Sequence, residues 1–252
     1  MTTLKGQVAL VTGSSRGIGA AIASQFAQQG AAVAVHGRDA EAVASGVAAI
    51  RDGGGQATGV TGDVTSFADV EAIRRQVEDT LGPVDILVAN AGASLTPPAA
   101  LEDIPEAGWR ATVDANLLAT FLTLKSFLPG MKARGRGTII TMASSAGRRA
   151  NAQAPIAYGA AKAGVIMLTQ DVAAQAGPAG IRVNCIAPET ILTERNRERI
   201  PAGLQAELAG FHPLKRLGTP DDVAGAAVFL ASDAAAWITG LVVDVTGGAV
   251  LA

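Results

Sequence analysis

A regular alternation between short Val- and Ile-rich runs and longer stretches of helical periodicity constrains the fold of this chain most strongly. Seven apolar runs have strand character: 8–12, 32–36, 57–62, 85–90, 138–143, 181–187 and 241–246. Helical periodicity lies near residues 17–29, 40–51, 66–80, 105–134, 156–176 and 220–231. Strands that alternate with helices build parallel β-α-β units with right-handed crossovers. Because the strands are almost wholly apolar, we predict an α/β fold whose parallel sheet is covered by helices on both faces.

The length and composition indicate one compact domain. The chain has 252 residues, of which 49% are hydrophobic and only 17% are charged. That is enough to bury a sizeable core, and we find no internal repeat or linker. We therefore predict a single domain over residues 1–252. Residues 188–219 are irregular, and their charge cluster and prolines predict a helical excursion or a lid on the substrate side.

The composition also disfavours several classes of function. The formal net charge is −2 and no apolar run could span a bilayer, so neither nucleic acid nor a membrane is an expected partner. Cys185 is the only cysteine, which excludes an intrachain disulfide. With two histidines and no HxxxH or CxxC spacing, we expect no metal site. The reduced cysteine and the lack of a signal-peptide pattern predict a cytoplasmic protein.

The segment VALVTGSSRGIGAAIA (8–23) has the order strand, glycine-rich turn, helix. Gly13 allows a sharp turn, Gly17 lets the backbone approach a phosphate, and Gly19 lets the new helix pack closely on the sheet. The helix N-terminus then offers free N–H groups and a positive dipole to a pyrophosphate. We predict a dinucleotide-binding loop whose contacts come from Gly13, Ser15, Arg16, Gly17, Ile18 and Gly19.

The end of the second strand should lie beside the adenosine ribose of such a cofactor. An acidic side chain there would bond the 2′-hydroxyl of NAD, whereas a basic one would meet the 2′-phosphate of NADP. Gly37 stands at the expected acidic position and Arg38 follows it, with Arg16 as a second cation. We therefore predict a preference for NADP(H). Asp39 is expected to cap the next helix, and NAD(H) stays possible if it reaches the ribose instead.

Two further turns should border the cofactor. Asp63 follows the third strand and either bonds the adenine edge or acts as a cap, while Val64 could pack on the adenine face. Asn90, Ala91 and Gly92 close the fourth strand, and their backbone is expected to lie against the cofactor. The sequence leaves the two roles of Asp63 open.

The only tyrosine of the chain, Tyr158, stands four residues before Lys162. Residues four apart lie on one face of a helix. A phenol has a pKa near ~10 in water, and a fixed ammonium nearby favours the phenolate and lowers that pKa. The pair therefore predicts a proton donor and acceptor that works close to neutral pH.

Taken together, these motifs resemble those of the short-chain dehydrogenase/reductase family over nearly the whole chain. The matching segments are TGSSRGIG (12–19), NAG (90–92), VDANLLATF (113–121), TMASSAG (141–147), YGAAK (158–162), IRVNCIAP (181–188) and LGTPDDVAGAAVFLAS (217–232). The resemblance implies a single-domain, Rossmann-like doubly wound fold with a seven-stranded parallel sheet flanked by helices. It also implies a homo-oligomer, usually a tetramer.

The resemblance assigns catalytic roles as well. Tyr158 would exchange a proton with the substrate oxygen, Lys162 would lower the Tyr158 pKa and hold the nicotinamide ribose, and Asn116 would support a water-linked proton path. A serine would orient the carbonyl or alcohol. The usual spacing to the tyrosine selects Ser145, whereas counting along the strand selects Ser144, which we prefer; one extra residue in the following connection would reconcile the two.

The loop after the sixth strand departs from the family pattern. Where the family commonly has Pro-Gly beside the nicotinamide, this chain has Pro188 followed by Glu189. Ile191 and Thr193 still match positions on the carboxamide side of the ring. We expect Glu189 to face solvent; the alternative is that it biases the pocket toward a cationic substrate.

The resemblance therefore implies an NADP(H)-dependent carbonyl reductase or alcohol dehydrogenase with a small-molecule substrate. The alternatives are an NAD-dependent alcohol dehydrogenase and a non-catalytic dinucleotide sensor or scaffold. Similarity to 3-oxoacyl-[acyl-carrier-protein] reductases makes acyl thioesters one candidate substrate class. Four arginines could then offer a basic surface to an acidic carrier protein: Arg134, Arg136, Arg148 and Arg149.

Overall fold

The computed structural model describes residues 3–151 and 154–250, and its centre is a parallel sheet. The strands are β1 (Val8–Val11), β2 (Ala32–Gly37), β3 (Gln56–Thr61), β4 (Ile86–Ala89), β5 (Gly137–Met142), β6 (Ile181–Pro188) and β7 (Val242–Val245). They pair in the order β3-β2-β1-β4-β5-β6-β7, and every pair is parallel. The seven-stranded parallel sheet predicted from the sequence is confirmed, with each strand end within one residue of its expected position.

The helices form a layer on each face of this sheet. They are α1 (Gly17–Gln28), α2 (Ala40–Asp52), α3 (Phe67–Leu81), α4 (Glu106–Val113), α5 (Ala119–Arg134), α6 (Ile156–Ala176), α7 (Glu194–Arg199), α8 (Ala202–Phe211) and α9 (Pro220–Ala231). One apolar cluster joins α1, α2 and α9 to the sheet, and a second joins α3, α5 and α6 to the other face. Within the described ranges, no helix combines the length and apolar character that crossing a membrane requires.

Apolar spacing explains how these helices dock. Ile22 and Phe26 are four residues apart on α1, so they share one face, and both are fully buried. Val70, Ile73 and Val77 make the same kind of stripe on α3 and are buried against the opposite face of the sheet. This double covering leaves the ends of the strands as the places where polar chemistry can reach solvent.

The long helix expected over 105–134 is interrupted. A π-helical turn, Asp114–Leu118, separates α4 from α5. The turn buries Asn116 completely, and its amide nitrogen donates to the carbonyls of Thr112 and Ala93, each at 2.7 Å. The wider turn therefore directs one polar side chain inward, and such turns are frequent at functional sites.

The strand order reverses between β1 and β4, and this reversal determines where a ligand can bind. In doubly wound sheets the crevice at the carboxyl ends of the strands beside such a reversal receives the ligand. Gly13 follows β1, Asn90 follows β4, Ser144 follows β5 and Glu189 follows β6. Four segments singled out from the sequence therefore lie at one edge of the sheet.

Candidate active site

The glycine-rich turn after β1 has a backbone that other residues would not allow. Gly13 and Gly17 have φ values of +65° and +60°, in the left-handed region that favours glycine. A Cβ atom built on Gly19 would clash with the carbonyl oxygen of Gly13. A Cβ atom on Gly17 would lie 3.4 Å from Cγ2 of Thr193, so the start of the 188–219 segment borders this turn. The spacing of the three glycines is thus explained by close backbone approach.

Asn90 holds this turn against β4 through its side chain. Its amide nitrogen donates to the carbonyls of Thr12 and Gly13, at 2.9 and 3.1 Å. The Thr12 hydroxyl accepts in return from the backbone N–H groups of Asn90 and Ala91. The sequence predicted a backbone contact with the cofactor here; the observed side-chain bonds give Asn90 an additional structural function.

Sequence reasoning missed His36, which lies on β2 beside the same turn. Its ring is buried and bonded to the backbones of Gly13 and Gly62. The signal available in the sequence was an imidazole near the end of an otherwise apolar strand. A ring that is both polar and buried must find hydrogen-bond partners, and at a strand end these are the neighbouring loops.

Two exposed arginines and one aspartate lie near the expected adenosine ribose, and the aspartate is already hydrogen-bonded to a helix N-terminus. Arg38 and Arg16 are exposed, and Arg16 lies 3.5 Å from Asp39. Asp39 is the N-cap of α2, because its Oδ1 accepts from the N–H groups of Glu41 and Ala42. The expectation that Asp39 serves as a cap agrees with this geometry.

Asp63 and Val64 both have partners within the protein. Oδ1 of Asp63 accepts from the backbone N–H and the hydroxyl of Thr65, and these two bonds hold the pKa of the carboxyl below its usual range. The N-cap of α3 is Ser66 rather than Asp63. Val64 is buried in the apolar cluster on the α3 side of the sheet. Asp63 therefore orders its own loop, and an adenine contact would come in addition to that function.

Tyr158 and Ser144 form the polar pair at the carboxyl end of β5. The two side chains share a hydrogen bond, and Tyr158, on the first turn of α6, is partly exposed. Ser145 is buried and begins a short 3-10 turn. The structure thus brings Ser144, and not Ser145, to the phenol, as expected if the following connection contains one extra residue.

Lys162 was expected to lower the pKa of Tyr158, and for the chain by itself this expectation is wrong. Burial raises the pKa of Tyr158, although the bond with Ser144 lowers it in part. Lys162 is 3% exposed, its Nζ lies 5.5 Å from the centre of the Tyr158 ring, and it donates to the Met142 carbonyl at 2.8 Å. Burial lowers the pKa of Lys162 to about 8, so its own charge is weakened. Desolvation is thus the largest influence on the pKa of each group.

Asn116 and Lys162 both lie beside Gly92. A Cβ atom built on Gly92 would lie 2.6 Å from Oδ1 of Asn116 and 3.2 Å from Nζ of Lys162. Oδ1 of Asn116 is buried and has no hydrogen-bond partner within the described ranges. A buried amide oxygen without a partner is costly, so this position is suited to a ligand group or a water molecule.

The loop after β6 completes the site. Ile191 is buried and pairs with Gly218, and the Thr193 hydroxyl caps α7. The side chain of Glu189 is only 21% exposed and lies 3.9 Å from Arg149, so it does not simply face solvent as expected. A cation already faces this carboxylate, which weakens the argument for a cationic substrate.

The four arginines considered for a carrier-protein surface do not form one patch. Arg134 and Arg136 come before β5, and Arg136 pairs with Asp85. Arg148 comes after β5 and forms a bidentate pair with Asp244 at 3.0 Å. The six residues of β5 separate the two groups, at roughly 3.3 Å per residue. The four arginines therefore lie at opposite ends of β5 rather than in one cluster, and a carrier-protein surface stays a prediction.

Similarity to known proteins identifies the family of this chain. A protein-family model described as enoyl-(acyl carrier protein) reductase matches residues 13–250. The chain belongs to the short-chain dehydrogenase/reductase family. It is 39% identical to (2S)-[(R)-hydroxy(phenyl)methyl]succinyl-CoA dehydrogenase subunit BbsD of Thauera aromatica, over 97% of each chain.

Two solved structures of this family are similar along the whole fold. One is a 7α-hydroxysteroid dehydrogenase in complex with NADH and 7-oxo glycochenodeoxycholic acid, with a TM-score of 0.92, 36% identity, and 98% and 95% of the two chains covered. The other is a gluconate 5-dehydrogenase from Burkholderia cenocepacia J2315 in complex with NADP and tartrate, with a TM-score of 0.91, 35% identity, and 98% and 96% covered. Family members thus bind either nicotinamide cofactor.

Proposed function

We propose that this protein is an NADP(H)-dependent oxidoreductase that interconverts a ketone and a secondary alcohol. The hydrogen-bonded pair of Tyr158 and Ser144, at the same sheet edge as the glycine-rich turn, carries the proposal. Two adjacent hydroxyl groups can bind one substrate oxygen, and one of them can exchange a proton with it. Relatives named as dehydrogenases of hydroxylated compounds support this reaction class.

Several groups along the crevice would hold a nicotinamide dinucleotide. The turn at Gly13, Gly17 and Gly19 would accept the pyrophosphate, because it leads into the N-terminus of α1, which no N-cap side chain occupies. The amide oxygen of Asn116, which has no partner in the described part of the chain, would accept a bond from water or ligand beside Lys162. Contacts from Ser15, Ile18, Ala91, Pro188, Ile191 and Thr193 remain part of the proposed cofactor site.

Each polar side chain then has a defined task. The cofactor, when bound, supplies or accepts the hydride. Tyr158 protonates the substrate oxygen in reduction and takes the proton back in oxidation, while Ser144 holds that oxygen by a hydrogen bond. Lys162 binds the ribose and, when protonated, favours the Tyr158 phenolate. Asn116 holds a water that links Lys162 to solvent.

NADP(H) is the proposed cofactor because of the charges at the ribose end. Arg38 and Arg16 are exposed cations there, and Asp39, the nearby acidic side chain, is used as a helix cap. A 2′-phosphate would pair with a guanidinium, whereas the 2′-hydroxyl of NAD would have no comparable gain. NAD(H) use is the second candidate, favoured by the NADH complex of a similar enzyme.

The assembly and cell location are further parts of the proposal. We propose a single domain over residues 1–252 with a lid at about 188–219, acting in the cytoplasm as a homotetramer. Exposed apolar side chains on α5 and α6, Phe121 and Met167, support contact between copies of the chain. Small-molecule alcohols or ketones are the proposed substrates.

A direct assay tests this function. The purified protein is mixed with NADPH or NADH and a panel of cyclic, aliphatic and acyl-thioester ketones, and cofactor oxidation is followed by its near-ultraviolet absorbance. We expect ketone-dependent oxidation of NADPH that exceeds that of NADH. Tight NADPH binding without turnover of any ketone or of the corresponding alcohols would favour the non-catalytic sensor instead. Faster turnover with NADH would overturn the cofactor preference.

A further inference from the structure

His36 carries a buried imidazole in which both ring nitrogens have partners. The side chain is 2% exposed. Nδ1 accepts from the backbone N–H of Gly13 at 3.0 Å, and Nε2 lies 3.2 Å from the carbonyl oxygen of Gly62. A backbone N–H can only donate and a carbonyl can only accept, so the two bonds together require the neutral ring with its hydrogen on Nε2.

The two partners of the ring belong to different loops of the crevice. Gly13 begins the glycine-rich turn after β1, and Gly62 precedes Asp63 in the loop after β3. The main chain of His36 adds two bonds to the first loop, because Ser14 N–H donates to the His36 carbonyl at 2.8 Å and the Ser14 hydroxyl accepts from His36 N–H at 2.9 Å. The ring thus contacts both loops at once.

We propose that His36 is a positioning residue for the dinucleotide, which keeps the glycine-rich turn and the Asp63 loop at a defined separation. This inference rests on the proposed function, in which those two loops receive the pyrophosphate and the adenine. The ring does not need to touch the cofactor. Because the Gly13 N–H is bonded to the ring, the ring sets the direction of the first peptide of the turn, and the later amides are aimed accordingly.

The surroundings of the ring keep it neutral at physiological pH. Burial lowers the pKa of His36, and this outweighs its carbonyl bond and the negative charge of Asp63, which both raise it. Asp63 is the carboxylate that faces the ring from the loop after β3, and Arg38, directly after the strand that carries His36, acts in turn on Asp63. Gly13, on the side of the glycine-rich turn, has no charge. Protonation would place a second N–H against that of Gly13 and open this contact.

Two substitutions separate the positioning role from simple packing. His36→Leu fills part of the volume of the imidazole ring but leaves the Gly13 N–H without its partner. His36→Asn keeps an acceptor where Nδ1 stands. We expect the Kd for NADPH to rise about tenfold in His36→Leu and to stay within about threefold of wild type in His36→Asn, with kcat at saturating cofactor nearly unchanged in both. Equal Kd values for wild type and a folded His36→Leu, or equal losses in both variants, would overturn the proposal.

Nitrogen-15 NMR of the unliganded protein gives a readout that is independent of activity. The chain has only two histidines, so His212→Leu assigns the signals of each ring. At pH 7 we expect His36 to show a protonated Nε2 and an unprotonated Nδ1. A charged ring or the opposite tautomer would overturn the proposal even if the enzyme binds and turns over its cofactor. A protein that fails to bind dinucleotide while showing the expected tautomer would refute the proposed function and, with it, the positioning role.

The pH dependence of NAD⁺ affinity completes the test. NAD⁺ is the suitable probe because a 2′-phosphate itself takes up a proton near pH ~6. The ratio of the wild-type affinity to the His36→Asn affinity should be constant from pH 8 to 6.5 and fall as the pH is lowered further, because only wild type has a ring that can be protonated. Parallel profiles for the two proteins would contradict release by protonation of this ring.

Discussion

The two sides of the crevice satisfy their polar groups differently. On the cofactor side, at the ends of β1 to β4, the groups are bonded within the protein: Asn90 to Gly13, His36 to two loops, and Asp39 to its helix. On the reaction side, formed by the π-helical turn and α6, Asn116 has a buried oxygen without a partner within the described ranges, and Lys162 is a desolvated cation. The cofactor side is therefore shaped in advance, whereas the reaction side has groups whose ionisation depends on what binds.

The largest test of this contrast is Tyr158→Phe. Loss of the phenolic proton should reduce kcat by roughly 10²- to 10⁴-fold, the usual range for removing a general acid or base. The Kd for NADPH should change little, because the cofactor side keeps its bonds. Steady-state kinetics with the best ketone, together with fluorescence titration of NADPH, measure both quantities. A fall in cofactor affinity as large as the fall in kcat would mean that the two sides are not separate.

Lys162→Met tests whether the buried ammonium on the reaction side destabilises the fold. The folded chain releases the Lys162 proton near pH 8, while the unfolded chain holds it up to about pH 10.5. Stability therefore rises with pH between these values, and below pH 8 the buried ammonium destabilises the fold by up to roughly 3 kcal/mol. The variant should be inactive but more stable than wild type at pH 7, with a smaller gain at pH 10. Urea unfolding measures this; an equal gain at both pH values would contradict the lowered pKa.

On the cofactor side, Arg38→Ala should have an intermediate effect. An exposed guanidinium that pairs with a 2′-phosphate contributes about tenfold in affinity. We expect the Kd for NADPH to rise by that factor, while the Kd for NADH changes less than about twofold. Titrations of both cofactors against the same protein stock decide the point. Equal losses for NADPH and NADH would refute the contact with the 2′-phosphate.

The smallest expected effect is that of Asp39→Asn. Asparagine caps helices about as well as aspartate, so stability should not change, but the negative charge 3.5 Å from Arg16 disappears. NADPH affinity should improve about two- to threefold and NADH affinity should stay the same. Asp39→Ala is the matched control, since it also removes the cap and should cost about 1 kcal/mol of stability. No change in NADPH affinity in either variant would exclude Arg16 from the cofactor site.

Much of the fold was readable from the sequence because its signals are local. Apolar runs identified all seven strands, and the glycines of the turn after β1 predicted its unusual backbone. The helix expected at 105–134 was wrong in its middle, since a π-helical turn depends on where Asn116 finds partners, including the carbonyl of Ala93. That contact lies 23 residues away in the chain, and local periodicity contains no trace of it.

The sequence predicted which residues belong to the candidate site, but not how buried they are or which groups they contact. Tyr158 and Lys162 were singled out by type and spacing and Asn116 by the family resemblance, and their catalytic roles remain predictions. The lowered Tyr158 pKa does not hold for the chain by itself, because burial, a property of the assembled structure, raises it. Glu189 was expected in solvent, yet Arg149 of another loop lies beside it. His36 was passed over because nothing near it in sequence needs an imidazole.

The sequence by itself determined the order of strands and helices, the glycine-rich turn and the set of polar residues available for chemistry. Only the tertiary structure decided which serine meets Tyr158, that Lys162 is desolvated, and that His36 joins two loops. The physical reason is range: helical period, strand character and glycine stereochemistry act between near neighbours in the chain. Burial and hydrogen bonding across the crevice arise only when distant segments pack together.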